Sequence, residues 1–140
     1  MAITKDRFQS VDRKNQIYSD FLNDLNPHPV TGDVVRYVNE NSVSRSIRNL
    51  ISTNKGERLY QPTLGSDVFK MLFEPMSAVV AQIISTSIQS LIADYEPRAK
   101  VISVDVAPDY EGNAYLVTVQ YMIINRPTPI SLNISLTRVR

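Results

Sequence analysis

The chain has 140 residues and a formal net charge of +1; 43% of its residues are hydrophobic and 21% are charged. These values are ordinary for one soluble domain, and so small a charge gives no reason to expect attraction to nucleic acid or membranes. The lack of cysteine excludes disulfides, thiol catalysis and thiolate metal sites. The first ten residues contain no apolar run typical of a signal peptide, so we expect a protein that is made and kept in a cytoplasm.

The first segment, residues 1–38, is predicted to be an extended arm. Its apolar side chains keep neither the strand period nor the helix period, and residues 26–33 are rich in residues that break regular structure. One short helix is expected near Ser19 to Leu25. The arm carries too many large apolar side chains for a solvated tail, so it packs either on its own domain or on a partner. Residues 39–140 are predicted to form the domain itself.

The domain is expected to begin with a helix near Asn41, which can cap it. Gly56 lies just beyond the end of this helix, and the connector that follows has room for one short strand around Arg58 to Tyr60. Arg45 and Arg48 are expected to face outward from the helix. Its inward side is indicated by apolar residues at helical spacing, namely Val43, Ile47, Leu50 and Ile51.

Two further helices are predicted before the last third of the chain. Ser66 can cap a brief helix from Asp67 to about Phe73. Ser77 can cap a longer helix from about Ala78 to Asp94, which Pro97 should end. The apolar face of the longer helix is broad, which favours packing across a sheet. Its predicted members are Val80, Ile84, Ile88, Leu91 and Tyr95, widened by Val79, Ile83 and Ile92.

The last third alternates with the period of two that is typical of strands. Turns at residues 108–113 and 125–129 separate three such runs, and consecutive strands with short links form an antiparallel meander. The sequence therefore predicts an α+β fold: an N-terminal arm, two to three helices, then a three-stranded antiparallel meander covered on one face by the long helix. The residues predicted to face inward are Ile102, Val104, Val106, Tyr115, Val117, Val119, Tyr121, Ile123, Ile130, Leu132, Ile134 and Leu136.

Residues that could carry catalysis are scarce. The one histidine, His28, stands between two prolines in the arm, where a base would lack an ordered partner. Two carboxylate pairs could cleave glycan, Asp94 with Glu96 and Asp109 with Glu111, but neither is expected in an apolar cleft that would raise one pKa. We therefore expect no enzyme, no cofactor and no metal site, and neither nucleic acid nor membrane as a partner.

Two features remain as candidate partner-binding sites. The first is Glu96-Pro97-Arg98, where the long helix meets the first strand of the meander. Its opposite charges either project from a rigid corner or form an internal ion pair at a helix stop. The second is the last strand, Ile130 to Arg140, which at a sheet edge would offer unpaired backbone groups to another chain. Arg138 and Arg140 could instead protect that edge from pairing.

Five pieces of the chain resemble the baseplate wedge family of contractile-tailed phages. They stand in order at residues 44–51 (SRSIRNLI), 53–58 (TNKGER), 61–66 (QPTLGS), 72–77 (LFEPMS) and 95–98 (YEPR). The last piece holds the complete Glu-Pro-Arg signature of the family. The family is shared with the type VI secretion baseplate and was once labelled lysozyme-like. The arm, through residues 27–33, resembles phage members and favours a virion over a secretion system.

The resemblance implies a fold like the inner domain of the sheath protein. It implies that Glu96, Pro97 and Arg98 contact the core-bundle proteins of the baseplate wedge. It also implies that the tail sheath protein adds strands at an edge whose residues are Ile130, Leu132, Ile134, Leu136, Arg138 and Arg140; tail-tube or hub-adjacent proteins are further candidates.

The function that this resemblance implies is structural. The chain would be a wedge subunit, made in the bacterial host cytoplasm and built into the tail baseplate of the virion. There it would dock on the wedge core and template polymerisation of the first sheath ring. The alternative function is a peptidoglycan-degrading, lysozyme-like tail enzyme.

Overall fold

The computed structural model describes residues 17–22, 26–30, 32–124 and 126–138. Contacts divide the described chain into two compact units, with the division between Ser42 and Val43. Within the described ranges, no helix is long and apolar enough to cross a membrane. The elements in chain order are β1 (Ser19–Phe21), β2 (Arg36–Val38), α1 (Glu40–Ser52), α2 (Val68–Met71), α3 (Ala78–Tyr95), β3 (Ala99–Asp109), β4 (Ala114–Ile123) and β5 (Arg126–Thr137).

The first unit contains a small antiparallel sheet in place of the predicted short helix. β1 pairs with β2, with Asp20 opposite Tyr37. The side-chain oxygen of Asn39 accepts the backbone N–H of Ile17 at 3.0 Å, which holds the beginning of β1 beside the end of β2. The predicted helix from Ser19 to Leu25 is therefore wrong over residues 19–21, and residues 23–25 lie outside the described ranges. A short isolated helix is costly to nucleate, whereas the strand gains bonds from a distant partner that local pattern does not reveal.

The first helix was predicted well and the segment after it was not. α1 begins at Glu40, one residue before the predicted cap, and its stripe of Val43, Ile47, Leu50 and Ile51 is buried. Residues 58–60 form a bend and a turn, so the short strand for which this connector had room does not form. The Gly56 N–H donates to the Pro62 carbonyl at 2.9 Å, which folds this segment into a loop instead of extending it beside a strand. α2 is a single turn, shorter than predicted.

The long helix has the predicted start but a narrower buried face. Ser77 caps α3 by accepting the Val80 N–H at 3.2 Å, and the helix continues to Tyr95. Its buried residues are Ala81, Ile84, Ser85, Ile88, Leu91 and Ile92. Val79 and Ile83, which were expected to widen this face, are 68% and 48% exposed. Packing therefore covers only one side of the broad apolar stripe.

The main sheet has the order β3-β4-β5, with both pairs antiparallel. The central strand β4 alternates as predicted, and its inward residues are Tyr115, Val117, Val119, Tyr121 and Ile123, all of them buried. In β3 the register shifts between Val101 and Ser103. Such a bulge turns the following side chain, and Ile102 is 49% exposed instead of facing inward as predicted.

Both α1 and α3 contact the inner face of the sheet. The Ser44 hydroxyl of α1 lies 2.6 Å from the Tyr121 hydroxyl, and the Ser77 N–H at the start of α3 donates to the Tyr115 hydroxyl at 3.3 Å. α3 also bonds β3 directly, since the Ser85 hydroxyl donates to a β3 carbonyl at 2.7 Å. The prediction of helices with a three-stranded antiparallel sheet is confirmed, but α3 shares the cover with α1 and lies against the edge strand β3.

Candidate partner-binding surfaces

The junction between α3 and β3 is a corner built around the carboxylate of Glu96. Arg98 Nε donates to Glu96 Oε1 at 2.6 Å, and Arg98 Nη2 donates to Glu96 Oε2 at 2.9 Å. The Ser46 hydroxyl of α1 donates to the same Oε2. The backbone is fixed as well, since the Glu96 N–H donates to the Ile92 carbonyl at 2.9 Å and the Ala99 N–H to the Glu96 carbonyl at 3.1 Å. The corner therefore holds a fully engaged carboxylate.

The two charged residues of this corner differ in solvent exposure. Glu96 is 2% exposed, whereas the side chain of Arg98 is 32% exposed. Burial raises the pKa of the Glu96 carboxyl, but the hydrogen bonds from Arg98 and Ser46 and the guanidinium charge outweigh it and hold this pKa below its ordinary value of 4.5. Glu96 therefore stays ionised and orients Arg98. The internal ion pair is present, and Arg98 is the more exposed of its two members.

Acidification is expected to destabilise the fold below about pH 4.5, through Glu96. Because its pKa is lower in the folded than in the unfolded chain, its contribution is complete above pH 4.5 and is lost as the pH falls through the folded pKa. Thermal unfolding of the parent and Glu96→Gln from about pH 7 to pH 3 checks this. The variant should lose less stability over that range; identical pH profiles would contradict the assignment.

Three of the residues considered for catalysis, Glu96, Asp109 and His28, make structural contacts. A lowered pKa at Glu96 is the opposite of what a general acid of a glycosidase requires. Asp109 Oδ1 accepts the Gly112 N–H at 3.1 Å within the β3–β4 turn. His28 Nδ1 accepts the Val30 N–H at 3.2 Å. Among the described residues, no group of three His, Asp or Glu side chains could hold a metal ion.

The last strand lies at the edge of the sheet, beside β4 alone among the described strands. The Arg138 N–H donates to the Asn113 carbonyl at 3.2 Å, which extends the ladder by one pair beyond Ala114 and Thr137. Bonded and non-bonded pairs alternate in an antiparallel ladder, so β5 bonds β4 through every second residue. The residues between them direct backbone N–H and C=O groups away from β4: Ser131, Asn133, Ser135 and Thr137.

The residues predicted to form this edge take different positions. Leu132, Ile134 and Leu136 are buried in the core, and Ile130 is half-buried. Arg138 turns back to the domain, where its Nη2 donates to the Phe73 carbonyl at 3.2 Å. Arg140 lies outside the described residues. The apolar residues therefore hold β5 in place, and the outward backbone belongs to the polar residues between them.

One residue that the sequence did not assign to this edge reaches it from the helix layer. Arg48 of α1 donates from Nη2 to the Asn133 carbonyl at 3.3 Å, across 85 residues of sequence. This contact agrees with an outward carbonyl at Asn133. The prediction that Arg48 faces outward from its helix is right, but only the tertiary structure shows where the side chain ends.

A loop beside the corner displays two large side chains that the sequence did not single out. Leu59 is 93% exposed and Tyr60 is 97% exposed. The base of this loop is closed by a parallel bridge between Asn54 and Ser66. The Tyr95 hydroxyl at the end of α3 donates to the Thr63 carbonyl at 2.9 Å, which ties the loop to the helix end that precedes Glu96.

Comparisons with known proteins agree with this architecture. The family model described as Baseplate wedge protein gp25 matches residues 38–128. The Baseplate wedge protein gp25 of Enterobacteria phage T4 is 31% identical over 116 residues, which cover 83% of this chain and 87% of that protein. A candidate tail lysozyme from Geobacter sulfurreducens has a TM-score of 0.66 at 23% identity, over 72% of this chain and 92% of that one. A chain of the anti-feeding prophage (AFP) baseplate has a TM-score of 0.60 at 20% identity, over 88% and 87%. The two structural likenesses show the fold alone.

Proposed function

We propose a role for this chain that proceeds from its family: the chain belongs to the baseplate wedge protein gp25 family. It is a baseplate component of a phage tail, and therefore part of the virion. Within that frame we assign two contacts to it. It docks on the core-bundle proteins of the wedge through the Glu96-Pro97-Arg98 corner, and it templates the first ring of the contractile sheath through the edge of β5.

The docking role rests on the way Glu96 presents Arg98. An arginine held by a bidentate bond to a buried carboxylate loses little further side-chain freedom when a partner binds. Its side chain is 32% exposed and can therefore be reached from solvent. Pro97 keeps the backbone between the two charges rigid. A core-bundle protein that offers carboxylates or helix C-terminal carbonyl groups would match this surface.

The templating role rests on one observation, the outward backbone of β5. Four residues there can exchange main-chain bonds with an added strand: Ser131, Asn133, Ser135 and Thr137. The opposite edge of the sheet is less accessible, because Ser85 of α3 bonds the Val104 carbonyl of β3 and both residues are buried. An extended segment of the sheath protein would therefore add next to β5. A likeness to the inner domain of the sheath protein would make this a continuation of strand exchange between sheath subunits.

Ser135→Pro tests the templating role. Proline removes an N–H that points away from β4 and places its ring in the path of an added strand, while the ladder to β4 is kept. We expect folded protein that still enters baseplates, with at least about tenfold fewer sheathed tails in electron micrographs. Ser135→Ala, which keeps the N–H, is the matched control and should assemble sheath normally. Normal sheath on particles that carry folded Ser135→Pro would refute the role of this edge.

Co-purification tests the remaining partners. Tagged chain from cells producing particles should recover wedge core proteins and sheath protein. Tail-tube or hub-adjacent proteins, the further candidates, should be recovered only together with those two. Synthesis in the host cytoplasm predicts that the free chain is found in the soluble fraction before assembly. Recovery of the chain alone, from cells that do assemble particles, would contradict the structural role.

A further inference from the structure

We infer that Arg48 guards the edge of β5 against pairing with a second copy of this chain. The observation is the bond from Arg48 Nη2 to the Asn133 carbonyl at 3.3 Å. Asn133 lies near the middle of the outward segment 131–137, and its carbonyl is one of the groups that any added strand must use. The guard concerns the free protein, so it stands apart from the templating role.

The edge of β5 is suited to pairing with itself. In an antiparallel arrangement about a twofold axis at Ile134, Ser131 would face Thr137 of the second copy and Asn133 would face Ser135 of the second copy. All four outward residues would then be bonded. A shift of the axis toward the N-terminus would bring in Pro129, which has no N–H to donate. The register centred on Ile134 therefore uses the edge most fully.

Arg48 opposes this register in two ways. Its guanidinium is bonded to the Asn133 carbonyl, the acceptor that the Ser135 N–H of the second copy would have to use in this register. The twofold symmetry also brings together two copies of the guard. The two Asn133 residues would be diagonal neighbours, about 7–8 Å apart, which is close to the screening length of about 8 Å at physiological salt. Like charges at this separation repel each other.

The same guard yields to a strand that is held in place by other contacts. Arg48 is exposed, and its bond to Asn133 is a single solvent-accessible one. Such a bond is a weak obstacle when the added strand belongs to a neighbour already fixed in an assembly, because its local concentration is high. A strand from a foreign chain also brings no second Arg48. The bond between Arg48 and Asn133 therefore disfavours pairing with a second free copy of the chain, because that copy is held by the strand contact alone.

Arg48→Ala tests the guard. Sedimentation velocity over a concentration series should show self-association about tenfold tighter than that of the parent. Arg45→Ala removes the same charge from α1 but leaves the bond between Arg48 and Asn133 in place, and it should behave as the parent. The double variant Arg48→Ala/Ser135→Pro should return to the parent curve, because proline blocks the edge that the guard exposes.

Three results would overturn the inference. One is an Arg48→Ala variant that sediments as the parent at every concentration. Another is a dimer that persists in Arg48→Ala/Ser135→Pro, since it would use another surface. The third is an Arg45→Ala variant that associates as tightly as Arg48→Ala, because loss of a positive charge from α1 would then be enough without the bond to Asn133. Circular dichroism of each variant establishes that it is folded, and sheath assembly with Ser135→Pro judges the templating role separately.

Discussion

Replacing Arg98 alone with methionine is expected to lower the free energy of unfolding by about 3 kcal/mol. The change leaves the Glu96 carboxylate, 2% exposed, with Ser46 as its remaining side-chain donor. Breaking a buried pair from one side is costly because the other charge stays enclosed without compensation. We take the lower end of the usual range because Arg98 is partly exposed and water can enter its place. Urea denaturation followed by circular dichroism measures the loss.

The double variant Glu96→Met/Arg98→Met separates stability from docking. Replacing both members of a buried ion pair with apolar side chains of similar size is often neutral or stabilising, so we expect stability within about 1 kcal/mol of the parent. The double variant should nevertheless enter the wedge poorly, because the exposed guanidinium is gone. An Arg98→Met variant as stable as the parent would show that Glu96 does not depend on Arg98. Normal incorporation of the folded double variant would remove Arg98 from the docking surface.

Local periodicity explains the parts of the fold that the sequence predicted. The α1 stripe of Val43, Ile47, Leu50 and Ile51 and the alternation of β4 are set by residues a few positions apart, and burial follows them directly. The cap at Ser77 is equally local, since its hydroxyl bonds an N–H three residues on. These signals do not depend on where other segments lie, and so they can be read from the chain alone.

The parts that were missed depend on distant partners. Ile102 faces out because of a register shift against β4, and β1 is a strand because it finds β2. Neither event has a signal within its own segment. The choice between a projecting charge pair and an internal ion pair at Glu96 and Arg98 also depended on a third group. The Ser46 hydroxyl comes from 50 residues away and helps to enclose the carboxylate.

The edge of β5 illustrates the same limit at the candidate site. Alternation predicted which side chains face the core, and Leu132, Ile134 and Leu136 do so. It does not indicate which residues bond β4, because that depends on the register of the neighbouring strand. The sequence therefore pointed to the apolar residues and to Arg138 as the edge, whereas the outward groups belong to residues such as Asn133 and the arginine that contacts them is Arg48.

Gly65→Ala is expected to lower the free energy of unfolding by about 3–4 kcal/mol, because two separate costs add. The backbone of Gly65 has φ of +126°, a conformation that residues other than glycine rarely adopt. A Cβ there would lie 2.6 Å from the Thr53 carbonyl oxygen and 2.8 Å from the Asn54 carbonyl carbon, which are backbone atoms and cannot turn aside. Gly56→Ala is the matched control in the same segment. Gly56 also has a positive φ, +84°, but a Cβ added there would have no atom within 4 Å. That control should cost only about 1 kcal/mol.

The consequence of Gly65→Ala should reach beyond stability. The clash falls where the Ser66 N–H donates to the Thr53 carbonyl at 2.8 Å and the Ser66 hydroxyl to the Ile51 carbonyl at 2.7 Å, so the base of the loop has to open. The loop is tied to the end of α3 through Tyr95 and Thr63, and a displaced loop releases the helix end that carries the Glu96 corner. Thermal unfolding should show a much larger drop for Gly65→Ala than for Gly56→Ala, together with weaker incorporation into the wedge. Equal drops for the two variants would mean that backbone conformation alone, and not the close approach of residues 53 and 54, requires glycine at position 65.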